Sequence, residues 1–134
     1  MGPLTQSILV NDPCGERGNC FAACIASILE VSLEEVPNFC NFDDWRWRTN
    51  RWLAPRGLAY IDVTLSGDAR DLLVKDWGYH VVSGDGPRGH RHSVVGLRGE
   101  IVWDPHPSQT GFLGHPHEWE YGLLAKTFIP PMST

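Results

Sequence analysis

The chain has 134 residues, 42% of them hydrophobic and 20% charged, with a net charge of −5. Its size is that of one globular domain, 1–134, with enough apolar content for a core. The acidic balance argues against a nucleic-acid surface, and no apolar run is long enough to span a membrane.

The opening Met1-Gly2-Pro3-Leu4-Thr5-Gln6 lacks the basic start and apolar run of a signal peptide, so a cytoplasmic location is expected. Four cysteines in that setting should be mainly reduced thiols. Asn11 to Gly18 has loop composition. A helix is predicted over 20–30, with Ile25, Ile28 and Leu29 at helical spacing and Asn19 as its N-cap. Ser32-Leu33-Glu34-Glu35 has a capping-box pattern and predicts a short helix ended by Pro37. A longer helix is predicted over 42–54, opened by Asp43 and Asp44 and stopped at Pro55-Arg56-Gly57. Leu58 to Leu65 reads as a strand, Ser66 to Trp77 as a helix with Asp68 near its start, and Tyr79 to Ser83 as a further strand. Gly84 to Gly89 is a loop. His92 to Leu97 and Glu100 to Trp103 form a hairpin turning at Gly99, and Leu123 to Ile129 closes the sheet. The expected class is α+β, an N-terminal helix packed on a small antiparallel sheet, with no repeats and no linker.

Cys20 is the focal residue. It falls in the first turn of its helix, where unpaired N–H groups and the dipole favour a thiolate. His92 opens one strand of the hairpin and Asp104 follows the other, which puts both near one end of a sheet. A carboxylate there can orient the imidazole, and the imidazole can take the thiol proton.

The segments Gly18-Asn19-Cys20, His92-Ser93-Val94-Val95-Gly96 and Val102-Trp103-Asp104-Pro105 resemble the three catalytic motifs of papain-like cysteine peptidases. The closest style is the bacterial branch that includes leader-peptidase domains of bacteriocin exporters. The chain also resembles small bacterial and phage proteins with a Gly-Asn/Asp-Cys motif and a late Asp-Pro-His-Pro. The resemblance spans roughly residues 4–107 by motif order. It implies a minimal papain-like fold, a catalytic triad of Cys20, His92 and Asp104, and a thiol hydrolase acting on a peptide, isopeptide or side-chain amide bond without a cofactor. Its substrate would be a peptide or protein. The family's oxyanion-hole Gln lies six residues before the Cys, where this chain has Cys14. Gln6 is the preferred donor, with Asn19 and Asn11 as substitutes. Asn19, Trp103 and His90 are the expected substrate contacts, Trp103 because such sites often shield the His–Asp pair with an aromatic.

Blander roles compete for other residues. Cys24 reads as a small core residue one turn after Cys20, and Cys14 and Cys40 as loop residues. Trp45 and Trp52 share a helix face with Leu53 and read as core, while Trp47 points elsewhere. Arg46, Arg48 and Arg51 read as a solvated face, or else as an attractor of an acidic substrate tail. The pairs His90/His92 and His115/His117 allow a zinc protein as a rival, with His106, Cys20 or Asp104 completing the ligands. A catalytically silent papain-like module that binds a peptide or partner is the other alternative.

Overall fold

The computed structural model describes residues 1–8, 18–64, 75–87, 90–112, 114 and 118–127. Its elements are helices α1 (Cys20–Leu29) and α2 (Trp45–Leu53), followed by five strands. The strands are β1 (Leu58–Thr64), β2 (Tyr79–Asp85), β3 (Arg91–Leu97), β4 (Glu100–Trp103) and β5 (Glu120–Lys126). They form one antiparallel sheet in the order β1-β5-β2-β3-β4. Three single 3-10 turns, Leu33–Glu35, Phe39–Asn41 and Ala54–Arg56, link the helices to one another and to the sheet. The protein is therefore α+β, as its sequence pattern predicts. No helix among the described residues is long and apolar enough to cross a membrane.

The helices lie on one face of the sheet. Phe21 and Ile25 of α1, Leu53 of α2 and Tyr60, Val81 and Val95 of the strands are buried in one cluster. Phe21 is its hub, with edge-on contacts to Phe39, Trp45 and Tyr60. Truncating such a ring typically costs about 3–5 kcal/mol. Trp45 and Trp52 pack against this core while Trp47 is exposed, as the helical spacing implies. Cys24 is fully buried in the same cluster, and burial pushes its thiol pKa well up. On the opposite face, Val82, Val94, Trp119 and Tyr121 form a second cluster.

Gly122 lets the two layers close. A Cβ there would clash with the Tyr60 hydroxyl, so only glycine lets the ring lie across β5.

Local chemistry moved several boundaries. Asn19 occupies the N-cap position of α1 but makes no side-chain cap. Its carboxamide instead binds residues 7 and 8. The Ser32 segment is only a 3-10 turn: Glu35 N–H bonds the Ser32 carbonyl, and the Ser32 hydroxyl bonds the Glu35 carboxylate rather than capping. Val36 turns extended, as the residue before Pro37 must. Asp44 likewise fails to cap α2, and pairs instead with Arg48 one turn on. β2 runs two residues further than predicted, because Gly84 and Asp85 pair with His92 and Arg91. β5 starts at Glu120, three residues before the predicted start, since Gly122 in mid-strand hides the strand pattern. Lys75 to Trp77 form a turn; residues 66–74 of the predicted helix lie outside the described residues, as do Asn11, Cys14, His115, His117 and the end of the last predicted strand.

Candidate active site

Cys20 is the first residue of α1 and is partly exposed. Its position in the first turn puts N–H groups without intrahelical acceptors beside the sulfur. What holds the head of α1 is the N-terminal segment. Asn19 Oδ1 accepts the N–H groups of Ser7 (3.0 Å) and Ile8 (2.8 Å), and Asn19 N–H donates to the Ile8 carbonyl (3.0 Å). The same segment grips the other side of the site. Gln6 N–H donates to the Pro105 carbonyl (2.9 Å) and the Trp103 indole to the Leu4 carbonyl (2.8 Å). One extended stretch thus ties the start of the Cys20 helix to the residues flanking Asp104.

The β3–β4 hairpin supplies the other two groups. Its turn is the pair Arg98-Gly99, both at positive φ (56° and 80°), the signature of a two-residue turn matched to strand twist. A bulge then shifts the register, so that Gly96 faces Ile101 but Val95 faces Trp103. Without that shift Trp103 would oppose Val94, and Asp104 would fall on the Ser93 face. With it, Asp104 takes the face shared by Val94 and His92.

The two side chains meet there. His92 Nε2 lies 2.6 Å from Asp104 Oδ1, with both residues buried. Asp104 is further held by N–H donors from His106 to Oδ1 (2.9 Å) and from Gly111 to Oδ2 (2.7 Å). Gln109 donates its amide to the Asp104 and His106 carbonyls and so fixes the loop. Phe112 and His106 pack edge-on against the imidazole at 6.0 and 6.1 Å. With Nε2 engaged by Asp104, Nδ1 is the ring nitrogen left for Cys20, which lines the same cavity as His92.

Burial alone would lower the His92 pKa, but the hydrogen bonds and charges of Asp104 and Cys20 outweigh it and raise it from 6.5 to about 9. Burial alone would raise the Asp104 pKa; the bonds from His92, His106 N–H and Gly111 N–H outweigh it and hold the carboxyl below its usual 3.8. The pair is thus an imidazolium against a carboxylate at neutral pH.

Cys20 and His92 open into a cavity of about 490 Å³. Phe21, Trp45 and Tyr60 form its apolar side. Its polar side holds Ser83 and Ser93, whose hydroxyls meet at 2.9 Å across β2 and β3, together with Asp62, Glu120 and Arg91. Those polar residues alternate along their strands toward one sheet face, but only the register brings them together, and no local motif announces it.

Of the expected site residues, Cys20, His92 and Asp104 come together, and His90 is at the cavity wall. Gln6, Asn19 and Trp103 are not among the described residues that line the cavity. Gln6 is buried, its amide Nε2 donates to the Ile8 carbonyl (2.9 Å), and its Oε1 has no partner among the described residues. The Trp103 indole donates to the Leu4 carbonyl, and Trp103 lines a second pocket beside Asp104 rather than the Cys20 cavity. Among the described residues no three His, Cys, Asp or Glu side chains converge as a metal site.

Comparison with protein-family models, with curated proteins and with solved structures returned no match.

Proposed function

We propose that the protein is a small papain-like thiol hydrolase that cleaves a peptide, isopeptide or side-chain amide bond. The observation that carries this reading is the buried His92–Asp104 pair beside Cys20 at the head of a helix and at the mouth of a cavity. The thiol proton already resides on His92, and the sulfur attacks the carbonyl carbon as a thiolate. The oxyanion develops next to the first-turn N–H groups of α1. His92, held by Asp104, then protonates the departing nitrogen. Water attacks the thioester with His92 as base, which releases the acid and restores the thiol. The apolar wall of Phe21, Trp45 and Tyr60 suits a substrate side chain, and the open polar side suits an extended backbone.

One observation favours a second reading, a silent module that binds a peptide in the same cavity. The Gln6 amide that would complete an oxyanion hole donates to the Ile8 carbonyl instead. Incubation with unfolded protein and with glutamine- and isopeptide-containing peptides separates the readings, with mass spectrometry recording new termini or released ammonia. Turnover that vanishes in Cys20→Ala supports the hydrolase. Peptide binding without turnover, equal in wild type and Cys20→Ala, supports the silent module.

A further inference from the structure

We infer that the outer face of α2 is a docking groove for an acidic peptide segment of a partner protein. The groove has a volume of about 540 Å³ and is separate from the Cys20 cavity. Trp45 lines that cavity, whereas Trp47, two residues on and so on the opposite helix face, lines this groove. Its wall carries Arg48, Arg51 and Arg56 and, among the described residues, no carboxylate, although the whole chain has a net charge of −5.

Each of these guanidinium groups lies over an aromatic ring. Arg48 covers Phe42 at 3.9 Å, Arg51 covers Trp47 at 5.1 Å and Arg56 covers Trp52 at 3.6 Å. Stacking fixes the plane of a guanidinium while its N–H edges can still receive carboxylates, although one N–H of Arg56 also donates to the Trp52 carbonyl (2.8 Å). Arg48 is already paired with Asp44, and Arg46, the remaining arginine of α2, with Asp62 on β1. Arg51 and Arg56 face no carboxylate among the described residues. They are the two charges left for a ligand. Between them Trp47 is 57% exposed and Phe42 40% exposed, so the groove offers apolar contact between cationic sites.

That combination fits a short segment in which carboxylates alternate with apolar side chains. Charge complementarity selects the acidic occupant. The acidic balance of the whole chain disfavours a nucleic acid, whose charge extends far beyond the groove.

The test uses the full chain and a fluorescein-labelled ten-residue peptide of alternating glutamate and leucine, followed by anisotropy. Saturable binding is expected, weakening at least about ten-fold in Arg51→Glu and falling with salt. Arg51 is exposed and caps nothing, so this variant should fold; Trp47→Ala, also at an exposed position, provides the second variant and should weaken binding as well. Cys20→Ala should bind like wild type, which keeps this result independent of the hydrolase reading. Failure to bind, equal binding of a lysine–leucine peptide, undiminished binding in both variants, or tighter binding of single-stranded DNA would each overturn the inference.

Discussion

Asp104→Asn tests the electrostatics on which the candidate site rests. Asparagine keeps the shape but removes the charge facing His92 Nε2 and the acceptor pair that receives the His106 and Gly111 N–H groups. In the wild type the imidazole is raised from 6.5 to about 9, against the pull of burial. At about 1.4 kcal/mol per pH unit, that difference corresponds to roughly 3 kcal/mol. The sign follows from linkage. The His92 contribution is complete below its unfolded value of 6.5 and is lost as the pH rises through about 9. The Asp104 contribution is present above its unfolded value of 3.8 and is lost as the pH falls through its lowered folded value. Both act fully between 3.8 and 6.5, which is where the pair should stabilise the fold most. In the variant burial persists and the Asp104 charge is gone, with Cys20 the remaining group that raises the His92 pKa, so its midpoint should fall well below about 9. Titration of the imidazole ring resonances by NMR from about pH 5 to 10 reads this directly. Chemical denaturation over the same range should show the wild type losing stability on the alkaline side, by at most roughly 3 kcal/mol. A His92 midpoint that stays near 9 in the variant would refute the assignment of Asp104 as its partner.

Three other perturbations probe different parts of the molecule. Gln6→Ala should leave kcat on a cleavable substrate within a few-fold and lower the melting temperature, because the buried amide donates to the Ile8 carbonyl; kcat measured beside thermal melts separates the two effects. Gly122→Ala would drive a Cβ into the Tyr60 hydroxyl, so it should cost about 1–3 kcal/mol in urea denaturation and disturb the cavity floor. His80 is fully buried, its Nδ1 bonds the Gly78 carbonyl, its Nε2 has no partner among the described residues, and burial lowers its pKa below 6.5. The fold therefore holds it neutral, and stability should fall as the pH drops below 6.5, an acid loss that should shrink in His80→Asn when denaturation is followed across that range.

The helix at 42–54 was legible from its apolar face of Trp45, Trp52 and Leu53, and the one at 20–30 from an apolar run that Asn19 opens and that is buried almost all round. So was the β3–β4 hairpin, since Gly99 marks a turn that only positive φ allows. Cys20, His92 and Asp104 could be chosen because each lies at the end of such an element. What could not be read was register. The bulge between Val95 and Gly96 puts Asp104 on the His92 face; a glycine within a strand can mark such a bulge, but Gly96 alone does not say which register results. Nor could the cavity floor be read, because Ser83, Ser93, Asp62 and Glu120 come from four strands and meet only through pairing. Asn19 misled for a related reason. Its local preference for an N-cap gave way to four long-range hydrogen bonds with residues 7 and 8.

The central claim is that Cys20 is a nucleophile activated by His92. Brief treatment with substoichiometric iodoacetamide at neutral pH, followed by peptide mass spectrometry, tests it most directly. Alkylation should concentrate on Cys20, spare the buried Cys24, and fall by at least about ten-fold in His92→Ala at unchanged secondary structure. Equal labelling of Cys20 and the partly exposed Cys40, or labelling of Cys20 that is indifferent to His92, would contradict it.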